Sequence, residues 1–302
     1  MNKYLDINEQ ISFFKERNMK FEYVKEDQAK EILSAHIYLH QITLYKHFFE
    51  CFKSEKGIDD YNGIDFSDIY ELALIGNEIR YLFSSIGQKI ESYFKVYFIN
   101  AIDEMNIEKK PFYYYELLDI EKRFKIESRI EKRIRDYDDV YSKKMKSKFR
   151  NKKPTWVLNE FLSFGEILEI YTLHLRHQNI EDEDLTNFYI AKNLRNLTSH
   201  GNILFGNEIK GFDSSEIVES YYKKYKIKIE SSKITTYFLH NCLVVLYLFK
   251  KMTIKEEFEK EINKMYIDIH TMIKKMHVFD KYPNNVVTVD IKRLIRYIDK
   301  MY

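Results

Sequence analysis

FSDIYELALIGNEIRYLFSSIGQKIESYFKVYFINAI, residues 66–102, places apolar side chains at Ile69, Leu72, Leu74, Ile75, Ile79, Leu82, Ile86, Ile90, Phe94 and Phe98. A recurrence of three to four residues lines one face of an α-helix, so this stretch predicts a long helix with one buried stripe. Ser67 is placed to cap it, and Asp68 lies in the first turn, where the helix dipole favours an acid. Upstream, KGIDDYNG (residues 56–63) reads as a loop by composition. Residues 26–52 read as one helix, with Ala29, Ile32, Leu33, His36, Ile37, His40 and Leu44 at helical spacing, and residues 7–16 as a short one ending near Asn18.

Downstream the same period continues. Residues 118–149 are helical but highly charged, with apolar positions at Ile120, Phe124, Ile126, Ile130 and Ile134, and Pro154 ends the run. Residues 156–175 predict a helix burying Trp156, Val157, Phe161, Phe164, Ile167, Leu168 and Tyr171. The acidic run Glu181 to Asp184 suits a helix N-terminus, and that helix extends to His200, with Gly201 as its C-cap. Residues 216–225 read as helical, whereas residues 226–236 are ambiguous and admit a short strand pair. Residues 236–252 form an apolar helix and residues 254–276 an amphipathic one. A turn at YPNNVVT and a last helix over residues 290–301 close the chain.

Composition agrees. The 302 residues contain 8 Gly and 3 Pro, too few for an all-β chain of tight turns, and 16% aromatic residues, too many for a disordered one. The fold class expected is all-α in one body. It divides into an N-terminal helical region (1–62), a bundle (63–252) with a basic helical insertion (119–153), and C-terminal helices (253–302). Cys51 and Cys242 are the only cysteines, which excludes a disulfide framework and a Cys-rich zinc site. The opening MNKYLDINEQ lacks the apolar core of a secretory signal, so the cytoplasm is the expected location.

Net charge is only +2, but it is unevenly spread: residues 120–153 hold 14 Lys and Arg against 6 Asp and Glu. Lys143, Lys144, Lys146, Lys148, Arg150, Lys152 and Lys153 form a run of seven cations without an acid, suited to a nucleic-acid backbone, with Tyr141 and Phe149 offering faces for base stacking. The bland alternative is a solvated helix end.

The most informative chemistry lies in NLRNLTSHG, residues 193–201. Arg195 and His200 form the chain's single R-x4-H. Asn196 and His200, four apart, share a helix face, and Arg195 lies about 100° around the helix from Asn196. A guanidinium offers a planar fork to phosphate oxygens. A histidine at a helix C-terminus is more easily protonated than in free solution and exchanges protons near neutral pH. Together they suit RNA cleavage through the 2′-OH without a metal. A C-capping His beside a solvated Arg is the structural alternative. His36, His40 and His47 on one helix, and the pair His174 and His177, lack accompanying acids or cysteines at matching spacing. They read as packing residues, and no metal or other cofactor is expected.

Four segments resemble the Abi-like (abortive infection) family of HEPN-domain proteins, in the family's order. FFKERNMKF (residues 13–21), followed by Ala29, Tyr38 and Tyr45, is similar to its opening, with Asn18 where glycine is usual. Residues 66–95 resemble its long first helix, with an Arg and a later Ile-Glu pair ending at Glu91. PTWVLNEFLSFGEILEIY (residues 154–171) is close to its Pro-x-Trp … Phe-Gly-x-Leu signature. LRNLTSHGNILF (residues 194–205) matches its Arg-Asn-x-x-x-His, with Ser199 before the histidine where alanine is usual and a departure at residues 201–205.

The resemblance implies a HEPN helical bundle that dimerises and acts as a metal-independent endoribonuclease. Arg195 and His200 would then be catalytic, Asn196 the polar residue beside them, and Glu91 a partner of an arginine or a site residue. A single R-x4-H per chain makes a homodimer, with two His200 across a cleft, the natural way to supply both acid and base. The expected partners are RNA, as substrate and as a cognate small noncoding RNA, and a second copy of the chain, with no membrane and no DNA. The setting implied is phage defence or a toxin–antitoxin pair. The competing classes are a non-cleaving RNA-binding scaffold, which would tolerate His200→Ala, and a helical interaction module with which no RNA would co-purify. A toxin silenced by a partner nucleotidyltransferase is a further variant.

Overall fold

The structure is a computed structural model, which describes residues 5–49, 52–53, 59–104, 112–136, 140–141, 143–144, 154–199, 204–205 and 236–301. Among them are thirteen α-helices, and the fold is all-α. In chain order they are α1 (Ile7–Lys15), α2 (Glu26–Ala35), α3 (Leu39–Tyr45), α4 (Phe66–Glu104), α5 (Tyr114–Leu117), α6 (Ile120–Asp136) and α7 (Thr155–Phe161). After these come α8 (Phe164–Gln178), α9 (Leu185–Ser199), α10 (Tyr237–Met252), α11 (Lys255–Ile273), α12 (Val278–Lys281) and α13 (Val286–Met301). A 3-10 turn spans Lys46–Phe48, and two-residue strands β1 (Phe52–Lys53) and β2 (Asp59–Asp60) pair antiparallel ahead of α4. Residues 216–225 and 226–235, read from sequence as helix and as an ambiguous strand pair, lie outside the described residues.

Helix α4 is the spine. Ile69, Leu72, Ile75, Ile79, Ile86, Ile90, Phe94 and Phe98 are all buried, as the period requires. The stripe runs through Ala73 and Phe83 rather than Leu74 and Leu82, which are only half-buried. The cap is Asp65, not Ser67: its Oδ1 accepts from the Ser67 backbone N–H at 3.0 Å and from the Ser67 hydroxyl at 2.6 Å. Two further backbone N–H groups, of Glu22 (2.6 Å) and Tyr23 (3.4 Å), donate to its other oxygen. Burial alone would raise this carboxyl's pKa, but the hydrogen bonds outweigh it and hold the group below the usual range.

Two compact units share the chain. The first comprises Met1–Ser85, Asn196–Tyr247 and Ile254–Tyr302, and the second Ile86–Arg195 and Leu248–Thr253. In the first, α1 packs on α2 and α11 on α13. The chain leaves α1 through Asn18 at φ 58°, a left-handed conformation that asparagine tolerates better than most residues. The Asn18 side-chain amide donates to Asp60 at 2.6 Å, fixing the loop ahead of α4.

A network around the buried Asp68 carboxylate pins the far end of the chain to the start of α4. The Asp68 carboxylate, with no exposed side-chain surface, accepts from Lys281 Nζ (2.6 Å), His277 Nε2 (2.9 Å) and the Tyr282 hydroxyl (3.1 Å). His277 Nδ1 meets Glu71 at 2.6 Å, and Glu71 also accepts from the Val278 N–H at 2.9 Å. Asp68 was assigned a dipole role from sequence; in the structure it is also the shared acceptor that ties Lys281, His277 and Tyr282 to the start of α4.

Two long predicted helices are broken. The one expected over residues 26–52 ends at Ala35, where the Ile37 N–H bonds back to the Ile32 carbonyl and turns the chain before α3. His36 and His40 therefore do not share a helix, and the paired spacing read for them does not exist. The one expected over residues 156–175 stops at Phe161 and restarts at Phe164. Ser163 and Glu166 form a capping box that makes a new N-terminus there. Trp156, predicted buried, is 49% exposed. In the second unit α5 packs on α8 and α6 on α7, around Phe94, Phe98, Phe164, Tyr171 and Phe188. No helix among the described residues is long and apolar enough to cross a membrane.

Candidate functional site

Helix α9 begins where the acidic run ends. The Asp184 N–H donates to Asp182 Oδ1 at 2.8 Å, and Asn187 donates to Asp184 Oδ1 at 2.9 Å. The helix buries Phe188, Ala191, Leu194 and Thr198 and turns Asn193, Leu197 and Ser199 outward. Arg195 follows Leu194 on the edge of the buried face, so its stem is drawn inward while its head reaches the surface.

What receives it is α4. Gly87 and Glu91, four residues apart, lie on one face of that helix. A Cβ on Gly87 would stand 2.8 Å from Arg195 Cβ and 3.4 Å from Arg195 Cα, so only a residue without a side chain lets α9 come this close. The guanidinium then lies along α4, and Nη2 meets Glu91 Oε2 at 3.0 Å. The Arg195 side chain is 33% exposed and that of Glu91 14%. A carboxylate so shielded holds its cation more firmly than an exposed one. The arginine is positioned, yet a third of it faces solvent.

Asn196 is half-buried in the next position. His200, which follows the last residue of α9 directly, lies outside the described residues, as does Gly201. In the basic run, Lys143 and Lys144 are helical and exposed, and Tyr141 is exposed beside them. Lys146, Lys148, Phe149, Arg150, Lys152 and Lys153 lie outside the described residues. The structure thus joins Arg195 to Glu91, which the sequence left as either a site residue or a partner for an arginine. It adds Gly87, whose only sequence signal was a lone glycine inside a strong helical pattern.

Of the histidines read as packing residues, only His174 is buried; His36, His40, His47 and His177 are exposed. His174 Nδ1 lies 3.2 Å and His177 Nδ1 3.5 Å from the Tyr113 hydroxyl, to which Gln178 also donates at 3.1 Å. Burial, with His177 adding to it, lowers the pKa of His174. Among the described residues no group of three His, Cys, Asp or Glu is placed to hold a metal ion.

A family model described as Abi-like protein matches residues 31–206. The matched span contains Gly87, Glu91, Arg195, Asn196, His200 and the basic run, but not residues 13–21, which carried the first part of the sequence resemblance. No curated protein and no solved structure matches the chain.

Proposed function

Because the chain belongs to the Abi-like family, whose model covers more than half of it, we propose that it is an abortive-infection defence protein acting as a HEPN-type endoribonuclease toxin. The observation that carries this reading is the Glu91–Arg195 pair: a guanidinium held at 3.0 Å by a shielded carboxylate, partly open to solvent, five residues before a histidine.

In the reaction, Arg195 binds the non-bridging oxygens of the scissile phosphate. One His200 takes the proton of the 2′-OH, and the 2′-oxygen attacks phosphorus. The bond to the 5′-oxygen breaks as a second, protonated His200 supplies its proton. The products are a 2′,3′-cyclic phosphate and a free 5′-hydroxyl, and no metal enters the scheme. Acid and base are thereby two copies of one residue, which makes a homodimer the working form. Asn196 orients His200 from the preceding turn, and Glu91 is a positioning residue acting through Arg195. Lys143 and Lys144 begin the surface on which RNA lies, and Lys146, Lys148, Arg150, Lys152 and Lys153 continue it. A cognate small noncoding RNA held there would restrain the toxin.

The alternative, a non-cleaving RNA-binding scaffold, draws on the exposure of Tyr141, Lys143 and Lys144, since such a surface holds RNA without needing Arg195. Growth on expression of wild type, Arg195→Ala, His200→Ala and Glu91→Gln, with RNA from each purified protein run on a gel, separates the two. Toxicity lost in the Arg195 and His200 variants, with retained RNA unchanged, supports cleavage. Toxicity persisting in both refutes it and leaves the scaffold.

A further inference from the structure

The second unit has an open cavity of about 580 Å³, within the usual range for small-molecule sites. Tyr93, Val96 and Tyr97, on one face of α4, form one wall; Leu248 and Met252 of α10 form part of the lining, as does Phe188 of α9. Val96 and Tyr97 are exposed there. The rim is the segment before α9, with four carboxylates in succession, Glu181, Asp182, Glu183 and Asp184. One ammonium, Lys251, answers them, at 2.5 Å from Asp184 and 3.1 Å from Glu183. Such a rim repels phosphate, so this cavity is not an extension of an RNA-binding surface. Nor do these acids form a group placed to hold a metal ion.

What remains is an organic cation with an apolar body. Ammonium groups are attracted both to carboxylates and to the faces of tyrosine rings. The cavity already holds one alkylammonium, the chain's own Lys251 on the Asp184 side. At the other side Asp182 is fixed by two phenols, the hydroxyls of Tyr171 (2.7 Å) and Tyr97 (3.2 Å) donating to its Oδ2. Beside it Glu181 makes no hydrogen bond or ion pair among the described residues. We propose that this cavity binds an aliphatic polyamine, one ammonium between Glu181, Asp182 and the Tyr97 ring, its methylenes along Val96, Leu248 and Met252, and a second ammonium reaching Glu183.

The test is titration calorimetry of spermidine into the purified, RNA-free full-length protein. Wild type should bind saturably, Glu181→Gln/Asp182→Asn about tenfold more weakly, and Lys251→Met more tightly, because the resident ammonium no longer competes. A loss of folding weakens binding in every variant, so the gain in Lys251→Met is an outcome that structural damage does not produce. Glu181→Gln alone, at an exposed position, serves if the double variant does not fold. Absence of saturable heat, equal affinity in all variants, or displacement by Mg²⁺ at matched ionic strength would overturn the assignment.

Discussion

Gly87→Ala puts the packing of α9 on α4 to a quantitative test. In an open helix interior this change stabilises by roughly 1 kcal/mol, since alanine is the better helix former. Here the added methyl would lie 2.8 Å from Arg195 Cβ and 3.1 Å from Arg195 Cγ. Carbon atoms pack at about 3.5–4.0 Å, so α9 must move away by about 1 Å. Overpacking of that kind costs about 1–3 kcal/mol, which cancels or exceeds the helix gain and gives a net loss of about 1 kcal/mol. Gly165→Ala is the internal control. Its Cβ would lie 3.3 Å from Lys192 Cδ, in a flexible stem that can turn aside, so this variant should be neutral or slightly more stable. Urea unfolding followed by circular dichroism reads the difference, which should be about 1–2 kcal/mol between the two variants. The same shift lengthens the 3.0 Å contact between Arg195 and Glu91, so toxicity should fall with stability in Gly87→Ala and stay intact in Gly165→Ala. A Gly87→Ala protein as stable as Gly165→Ala, or more so, would refute the argument that this glycine exists for close approach.

Four further outcomes are expected. Asn18→Ala should cost about 1–2 kcal/mol more than Asn18→Gly in unfolding experiments, because both lose the bond to Asp60 but only alanine resists the left-handed backbone. Asp68→Ala removes the shared acceptor of Lys281 and His277, side chains that each keep about a third of their surface in solvent, and should cost about 1–3 kcal/mol, with part recovered in Asp68→Ala/Lys281→Met. His174, whose pKa burial depresses below its unfolded value of about 6.5, contributes stability that is full above that pH and lost as pH falls through the folded value. The difference in unfolding free energy between wild type and His174→Gln should therefore shrink between neutral pH and about pH 5, as measured by denaturant titration at each pH. Finally, Arg195→Ala and His200→Ala should abolish toxicity in the growth assay, and Glu91→Gln should weaken it.

How much could be read in advance depended on how local the deciding interaction was. The all-α class and the long α4 followed from hydrophobic period alone, as did α10 and most of α11. Helix breaks were missed where a polar device outweighed a continuing apolar pattern. The capping box of Ser163 and Glu166 was passed over because Val157, Phe164, Ile167 and Leu168 keep the apolar period running across it. At Ala35 the signal was weaker still, because the back-bonded turn contains no glycine or proline. Trp156 was misplaced because period predicts which face is apolar, and not whether a neighbour covers it. In the site, Arg195, Asn196 and His200 were legible as a motif. Gly87 and Glu91 act on Arg195 only once α4 and α9 are packed, and spacing within one helix does not encode that.

The Asp68 network has a consequence for biosynthesis. Its carboxylate is buried, and the groups that donate to it, His277, Lys281 and Tyr282, are made about two hundred residues later. A ribosome adds residues one by one, so the first turns of α4 lack these partners until nearly the whole chain has emerged. The nascent chain therefore lacks these partners through most of its own translation, and a nonsense mutation ahead of residue 277 should give an unstable protein, even though Arg195 and His200 are both present, as its yield beside wild type would show.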